Sequence, residues 1–173
     1  MKVIKIPDYC SSVGVINPNF DPIGITFVNF GNINNSSGIT TGYNGYTSQS
    51  NAMELGSTDN LTVNLDTGGN FNAYCYAWID WNRDGDFDDS GEEYDLGNAT
   101  NTPNGPTSNS ALNITVPVDA ELGDTRMRIL TQYYFNTIPT IGPCDSSSDG
   151  EVEDYTITIL PGIEYTYDNA WLP

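Results

Sequence analysis

Histidine is absent from this chain. That removes the commonest general base, the Ser-His-Asp and Cys-His nucleophile systems, and His-ligated zinc. Basic residues are scarce as well: five Lys and Arg stand against 23 Asp and Glu, for a formal charge of −18 and a pI near 4.1. So acidic a surface repels phosphate backbones and anionic membrane surfaces, so neither nucleic acid nor membrane insertion is expected. No segment is long and apolar enough to form a spanning helix. Met1 to Ile6 lacks the apolar run of a signal peptide, so export would imply a mature fragment or an excised module. Amphipathic helical periodicity is missing throughout. Paired carboxylates remain as a possible catalytic device, as in glycoside hydrolysis. With 23 acids, accidental pairs are inevitable, and no enzyme is expected.

Cysteine is sparse too, with three residues. Cys75 falls within a β-favouring run and shares a face with Phe71, Ala73, Ala77 and Ile79 by the two-residue period, which reads as a small buried hydrophobe. Cys10 and Cys144 both lie in turn-like contexts, and a bridge between them would staple the N-terminal segment to the last long loop. Three free thiols are the alternative.

What the chain does have is many short β-favouring runs punctuated by Gly, Pro and Asn. Ile25 to Phe30, Thr58 to Leu65, Phe71 to Trp81, Ala111 to Val116, Thr125 to Gln132 and Val152 to Leu160 read as strands. Phe71 to Trp81 is expected to be the longest and central, because both of its faces are apolar. Tyr74, Tyr76 and Trp78 form one stripe there, which reads as core. Asn32 to Ser50, Asn98 to Ser110 and Tyr133 to Gly150 read as long loops. The pattern predicts an all-β fold, an antiparallel, jelly-roll-like β-sandwich over residues 1–160. Residues 161–173 then form a linker or the start of a following module.

The segment Asp80-Trp81-Asn82-Arg83-Asp84-Gly85-Asp86-Phe87-Asp88-Asp89-Ser90-Gly91-Glu92 places oxygen side chains at alternate positions around one glycine. A hard cation such as Ca²⁺ takes six to eight oxygen ligands, and a short loop supplies them when its carboxylates converge. Asp80, Asn82, Asp84, Asp86, Asp88 and Glu92 are the expected ligands, with Ca²⁺ as the cofactor. The spacing departs from an EF-hand: Gly91 stands where the closing Glu belongs and Glu92 comes one place later. Glu92, Glu93, Asp88 and Asp89 are therefore all candidates for the closing ligand. The segment before the loop is a strand and not a helix, so the loop hangs on a sheet. An acidic turn without an ion is the plainer reading, since Asp, Asn and Gly favour turns.

Three further segments accompany this loop: Gly42 to Ser48, Gly123 to Arg128, and Asp149-Gly150-Glu151-Val152-Glu153-Asp154-Tyr155. With Trp78 to Phe87 they resemble the GEVED-type domain, named for its Gly-Glu-Val-Glu-Asp-Tyr signature, over about residues 9–160. The resemblance implies an extracellular accessory β-sandwich without catalysis of its own, in large secreted or cell-surface proteins of Bacteroidota and related marine bacteria. It does not imply a defined ligand. By alternation, Glu151 and Glu153 share the inward face with Tyr155, Ile157 and Ile159, and Arg126 and Arg128 share a face on another strand. Inward carboxylates need partners. Arg128 with Glu153 is one expected pair, with Asp154 reaching the calcium loop; solvated charges at a strand end are the alternative.

The function expected from these features is a calcium-stabilised module for adhesion or carbohydrate binding. Tyr43, Tyr46, Tyr133, Tyr134 and Phe135 are its candidate stacking residues. Its partners would be a polysaccharide, another surface protein, or neighbouring domains of a longer chain. A purely structural spacer is the alternative.

Overall fold

The computed structural model describes residues 7–16, 22–39, 41–146 and 149–162, and no helix occurs among them. Ten strands follow one another: β1 Ile23–Phe30, β2 Ile33–Asn35, β3 Tyr43–Glu54, β4 Thr58–Thr67, β5 Asn72–Ile79, β6 Glu93–Thr100, β7 Gly105–Pro106, β8 Leu112–Thr115, β9 Gly123–Tyr134 and β10 Gly150–Leu160. They form two sheets, one ordered β2-β1-β4-β7 with β8 also on β4, the other β3-β10-β9-β5-β6. The all-β sandwich is as the strand pattern predicts. Its pairings are antiparallel except that of β3 with β10, which is parallel.

Alternation decides what enters the space between the sheets. On β5, Ala73, Cys75, Ala77 and Ile79 point into the main core; on β9, Met127 and Ile129; on β10, Tyr155, Ile157 and Ile159. The first sheet answers with Val28 and Phe30 from β1 and Leu61, Val63 and Leu65 from β4. A bulge between Ile25 and Phe27 changes the parity of β1, so that Ile25, Val28 and Phe30 all reach this core. Cys75 is buried and unbridged, as its place on the inward face predicts.

The second sheet also buries part of its outer face. Trp78, Leu130 and Val152 gather there with Phe87 and Ile141, and Tyr9 and Tyr76 pack at the margin. The Tyr74–Tyr76–Trp78 stripe belongs to this face: Tyr74 and Trp78 are buried, and Tyr76 stacks on Trp78 with centroids 5.7 Å apart. The N-terminal segment covers this side as a strap. Cys10 is bridged to Cys144 with Cα atoms 5.6 Å apart, Ser12 Oγ donates to the Asp145 carbonyl, and Gly14 N donates to the Gly42 carbonyl. The strap passes so close that a Cβ at Gly14 would collide with the Gly150 carbonyl.

Several expectations need correction. Asn32 to Ser50 is not one loop, because it contains β2 and most of β3. The residues of β3 from Tyr43 to Ser50 are polar and largely exposed, so they carry no apolar alternation; their pairing with β10 comes from far along the chain. Asn98 to Ser110 likewise holds the end of β6 and all of β7, and Tyr133 and Tyr134 end β9. The longest strands are β3 and β9 at 12 residues each, and β5 has 8. β5 also lies beside the edge strand β6, and β9 occupies the centre of its sheet. The tail read as a linker falls outside the described residues from 163 onward.

Candidate functional site

The acidic segment is the connection between β5 and β6, adjacent antiparallel strands, so it is a hairpin loop. Asx turns fold it. Asp84 N donates to Asn82 Oδ1, Asp86 N to Asp84 Oδ1 and Asp88 N to Asp86 Oδ1, each two residues apart. Gly85, with φ near 100°, adopts a left-handed conformation, and a Cβ there would also press on Pro7 of the strap. Phe87 turns down from the loop into the outer-face cluster, 5.2 Å from the Tyr9 ring and stacked on it. Arg83 ties the far side down, donating Nε to the Asp124 carbonyl and Nη1 to the Leu122 carbonyl.

The loop's acids converge. Carboxylate oxygens of Asp84, Asp86 and Asp89 lie within 4.8 Å of one another, an arrangement that could hold a metal ion. Asn82 Nδ2 bridges Asp84 and Asp89 at 3.0 and 2.6 Å. Asp89, one of the acids considered for closing the loop, joins the cluster; Asp88 does not, and its side chain is exposed. Glu93 is engaged elsewhere, accepting from Trp78 Nε1.

Asp80 and Glu92 stand at the two ends of the loop and are buried. Asp80 Oδ2 accepts from the Tyr9 hydroxyl at 2.8 Å and from Gly85 N at 3.1 Å. Glu92 Oε1 accepts from Trp81 N at 2.8 Å. Their remaining oxygens, Asp80 Oδ1 and Glu92 Oε2, have no hydrogen-bond partner among the described residues. Burial pushes the Asp80 carboxyl up and the Glu92 carboxyl up to about 7, and the Asp80 and Asp89 charges add to the latter. Buried carboxylate oxygens without donors are costly, and a cation is one group that would satisfy them. The converged donors, Asp84, Asp86 and Asp89, are all carboxylate oxygens and fit a hard cation, while Asp80 and Glu92 lie outside that cluster and Asn82 turns Nδ2 toward it.

The signature strand β10 carries a second polar system. Glu151 and Glu153 face inward, as alternation predicts, and each reaches across the sandwich to the first sheet. Glu151 Oε2 accepts from Ile25 N at the β1 bulge, at 2.8 Å, and Oε1 accepts from Asn44 Nδ2. The Tyr155 hydroxyl donates to Glu153 Oε2 at 2.7 Å while accepting from Asn35 Nδ2 of β2 at 2.8 Å. Burial pushes Glu151 up to about 8 and Glu153 up to about 7.

The expected Arg128–Glu153 pair does not form. Arg128 bonds Asp154 instead, Nε to Oδ1 at 2.8 Å and Nη2 to Oδ2 at 2.9 Å, and Arg126 Nη1 reaches the same Oδ2 at 2.7 Å. The register explains this: Arg128 is directly opposite Asp154, so the two share the outer face while Glu153 points the other way. Asp154 is thereby committed to the arginines and is not a ligand of the acidic loop.

Four of the five aromatics read as a stacking platform are engaged separately within the chain. Tyr43 donates to Asp154 Oδ2 at 3.0 Å. Tyr46 stacks on Tyr155, Tyr133 meets Phe71 edge-on, and Tyr134 meets Tyr74 edge-on. Phe135 is 73 % exposed. Tyr9, which joins the acidic loop to the arginines, carries no sequence signal of its own, because the strap meets these strands only in the fold.

A protein-family model described as the GEVED domain matches residues 74–158. The match runs from β5 through the acidic loop to β10, and leaves the strap, β3 and the Gly42–Ser48 segment outside. No curated protein matches the chain.

Proposed function

With the chain identified as one that carries a GEVED domain, we propose that it is a non-catalytic extracellular module whose β5–β6 hairpin is locked by calcium. One observation carries the reading: two buried oxygens without donors, Asp80 Oδ1 and Glu92 Oε2, bracket a loop on which three more carboxylates converge. Asp80, Asn82, Asp84, Asp86, Asp89 and Glu92 are the ligands of this proposal, Asp89 replacing Asp88. Calcium suits so many oxygens in a flexible loop better than magnesium, which demands a tight octahedron and keeps its waters.

The ion acts as a clamp and not as a switch. An EF-hand sensor opens a helix pair on binding calcium; here the loop joins two neighbouring strands of one sheet. Neutralising the loop's acids would hold Phe87 on the outer face and Tyr9 on Asp80. The Cys10–Cys144 bridge supports an oxidising setting, since disulfides persist outside the cytosol. No helix among the described residues is long and apolar enough to cross a membrane.

The module's work is adhesion or ligand binding in a secreted or surface protein. A spacer role is the second reading, favoured by one observation: four of the five aromatics expected to stack on sugars are occupied by partners within the chain. Calorimetric titration of the chain with Ca²⁺ and with Mg²⁺ provides a direct test of the ion, and binding should saturate with Ca²⁺ at lower concentration. An identical, unsaturable response to both ions would remove the calcium reading.

A further inference from the structure

The outer face of the second sheet holds a cleft of about 410 Å³, walled by the strap from Tyr9 to Val13 and by Tyr43, with Arg126, Arg128 and Asp154 at its base. Two guanidinium groups meet one carboxylate there, which leaves a local excess of positive charge in a chain of net charge −18. Among the described residues the remaining arginine, Arg83, is tied to backbone carbonyls of another loop.

The hydrogen bonds at the base are unevenly used. Asp154 Oδ2 already accepts from Arg126, Arg128 and Tyr43. Arg128 spends Nε and Nη2 on Asp154 and Nη1 on the carbonyls of Cys10 and Pro143, and it is buried. Arg126 gives Nη1 to Asp154, lies 4.9 Å over the Tyr9 ring, and keeps 19 % of its side chain exposed. A guanidinium carries five N–H donors in a planar fork that matches a carboxylate. Asp154 already accepts four bonds, so the rest of the Arg126 fork is open to an acceptor that enters the cleft in place of water.

We propose that this cleft binds the carboxylate of a small acidic ligand, with Arg126 as the recognising fork and Tyr43 and Ser11 beside the rest of the molecule. A cleft of this size admits a single sugar ring, and a hexuronate joins a carboxylate to hydroxyls that Tyr43 and Ser11 can meet. The assignment deepens the binding role proposed above and rests on it. A peptide carboxylate has the same anionic chemistry, so the test separates the two sources.

The full chain, saturated with calcium, is titrated with D-glucuronate, with N-acetyl-aspartate and with glucose, and followed by amide chemical shifts. Glucuronate should shift resonances around Arg126 and Tyr43, and glucose at equal concentration should not. Arg126→Gln should weaken glucuronate binding by about tenfold or more, the scale of a charged hydrogen bond, and Arg126→Lys by less. Both variants keep the Arg128–Asp154 pair; since Arg126→Gln also gives up the bond to Asp154, amide resonances unchanged away from the cleft verify the fold. Response to N-acetyl-aspartate in place of glucuronate overturns the sugar assignment. Glucuronate binding that survives Arg126→Gln, or absence of any shift with either acid, overturns the site. Calcium dependence is read separately from the melting temperature, so a chain that calcium stabilises but glucuronate leaves unchanged loses the cleft proposal and not the metal clamp.

Discussion

Arg128 and Asp154 lie directly opposite one another on β9 and β10 and form a two-point pair, with side-chain exposures of 3 % and 0 %. Breaking a buried pair from one side leaves the other charge without compensation, at a cost of about 3–5 kcal/mol. Asp154→Asn should therefore lower the denaturant midpoint by a large fraction of total stability. Glu153→Gln, which removes no arginine partner, should cost much less. Equal losses in the two variants would restore the Arg128–Glu153 pairing.

The inward glutamates make stability pH-dependent. Both have folded values above the ordinary 4.5, Glu151 up to about 8 and Glu153 up to about 7. The folded chain thus holds protons that the unfolded chain has released. By linkage, stability is full below about pH 4.5 for these two groups and declines as pH rises toward 8. In chelator, where Asp80 and Glu92 act in the same direction, melting temperatures should fall from pH 5 to pH 8. Glu151→Gln removes one titrating group and should flatten that slope; an unchanged slope contradicts the assignment.

The Cys10–Cys144 bridge spans 134 residues in sequence. Cross-linking so long a loop constrains the unfolded chain by about 2–5 kcal/mol. Reduction, or Cys10→Ser with Cys144→Ser, should lower the unfolding midpoint accordingly and release the strap. Hydrogen exchange should then rise first around Tyr9 and Ser12. Cys75, buried on the core face, should stay unreactive to thiol reagents until the chain unfolds.

Phe87 is the apolar anchor of the acidic loop, 4 % exposed and stacked on Tyr9. Phe87→Ala should cost about 3–5 kcal/mol, the range for a buried phenylalanine. Because Tyr9 also donates to Asp80, calcium affinity should drop in the same variant. Stability loss with affinity intact would uncouple anchor from ion.

What could be read from the sequence follows from the range of the forces involved. β5, β9 and β10 show themselves through two-residue alternation, and the inward turn of Cys75, Glu151 and Glu153 follows from the same period. The acidic loop is legible because its chemistry is local. The partner of Arg128 is not: alternation says which residues share a face, but the register that sets Asp154 opposite comes from the whole sheet. β3 escapes because its first eight residues are polar and mostly exposed, leaving no apolar trace of a parallel pairing over 100 residues distant. The strap is hidden for a related reason: Tyr9 and Gly14 gain meaning only against Asp80 and Gly150, which the fold brings to them.

The calcium clamp is tested most directly by thermal unfolding of the native chain and of Asp84→Ala, each in Ca²⁺ and in chelator. An ion that binds only the folded state stabilises it by about 2.7 kcal/mol at a hundredfold excess over its dissociation constant. The native chain should melt several degrees higher in Ca²⁺ than in chelator, and Asp84→Ala should lose most of that difference. The same midpoint in both solutions for the native chain would contradict the clamp.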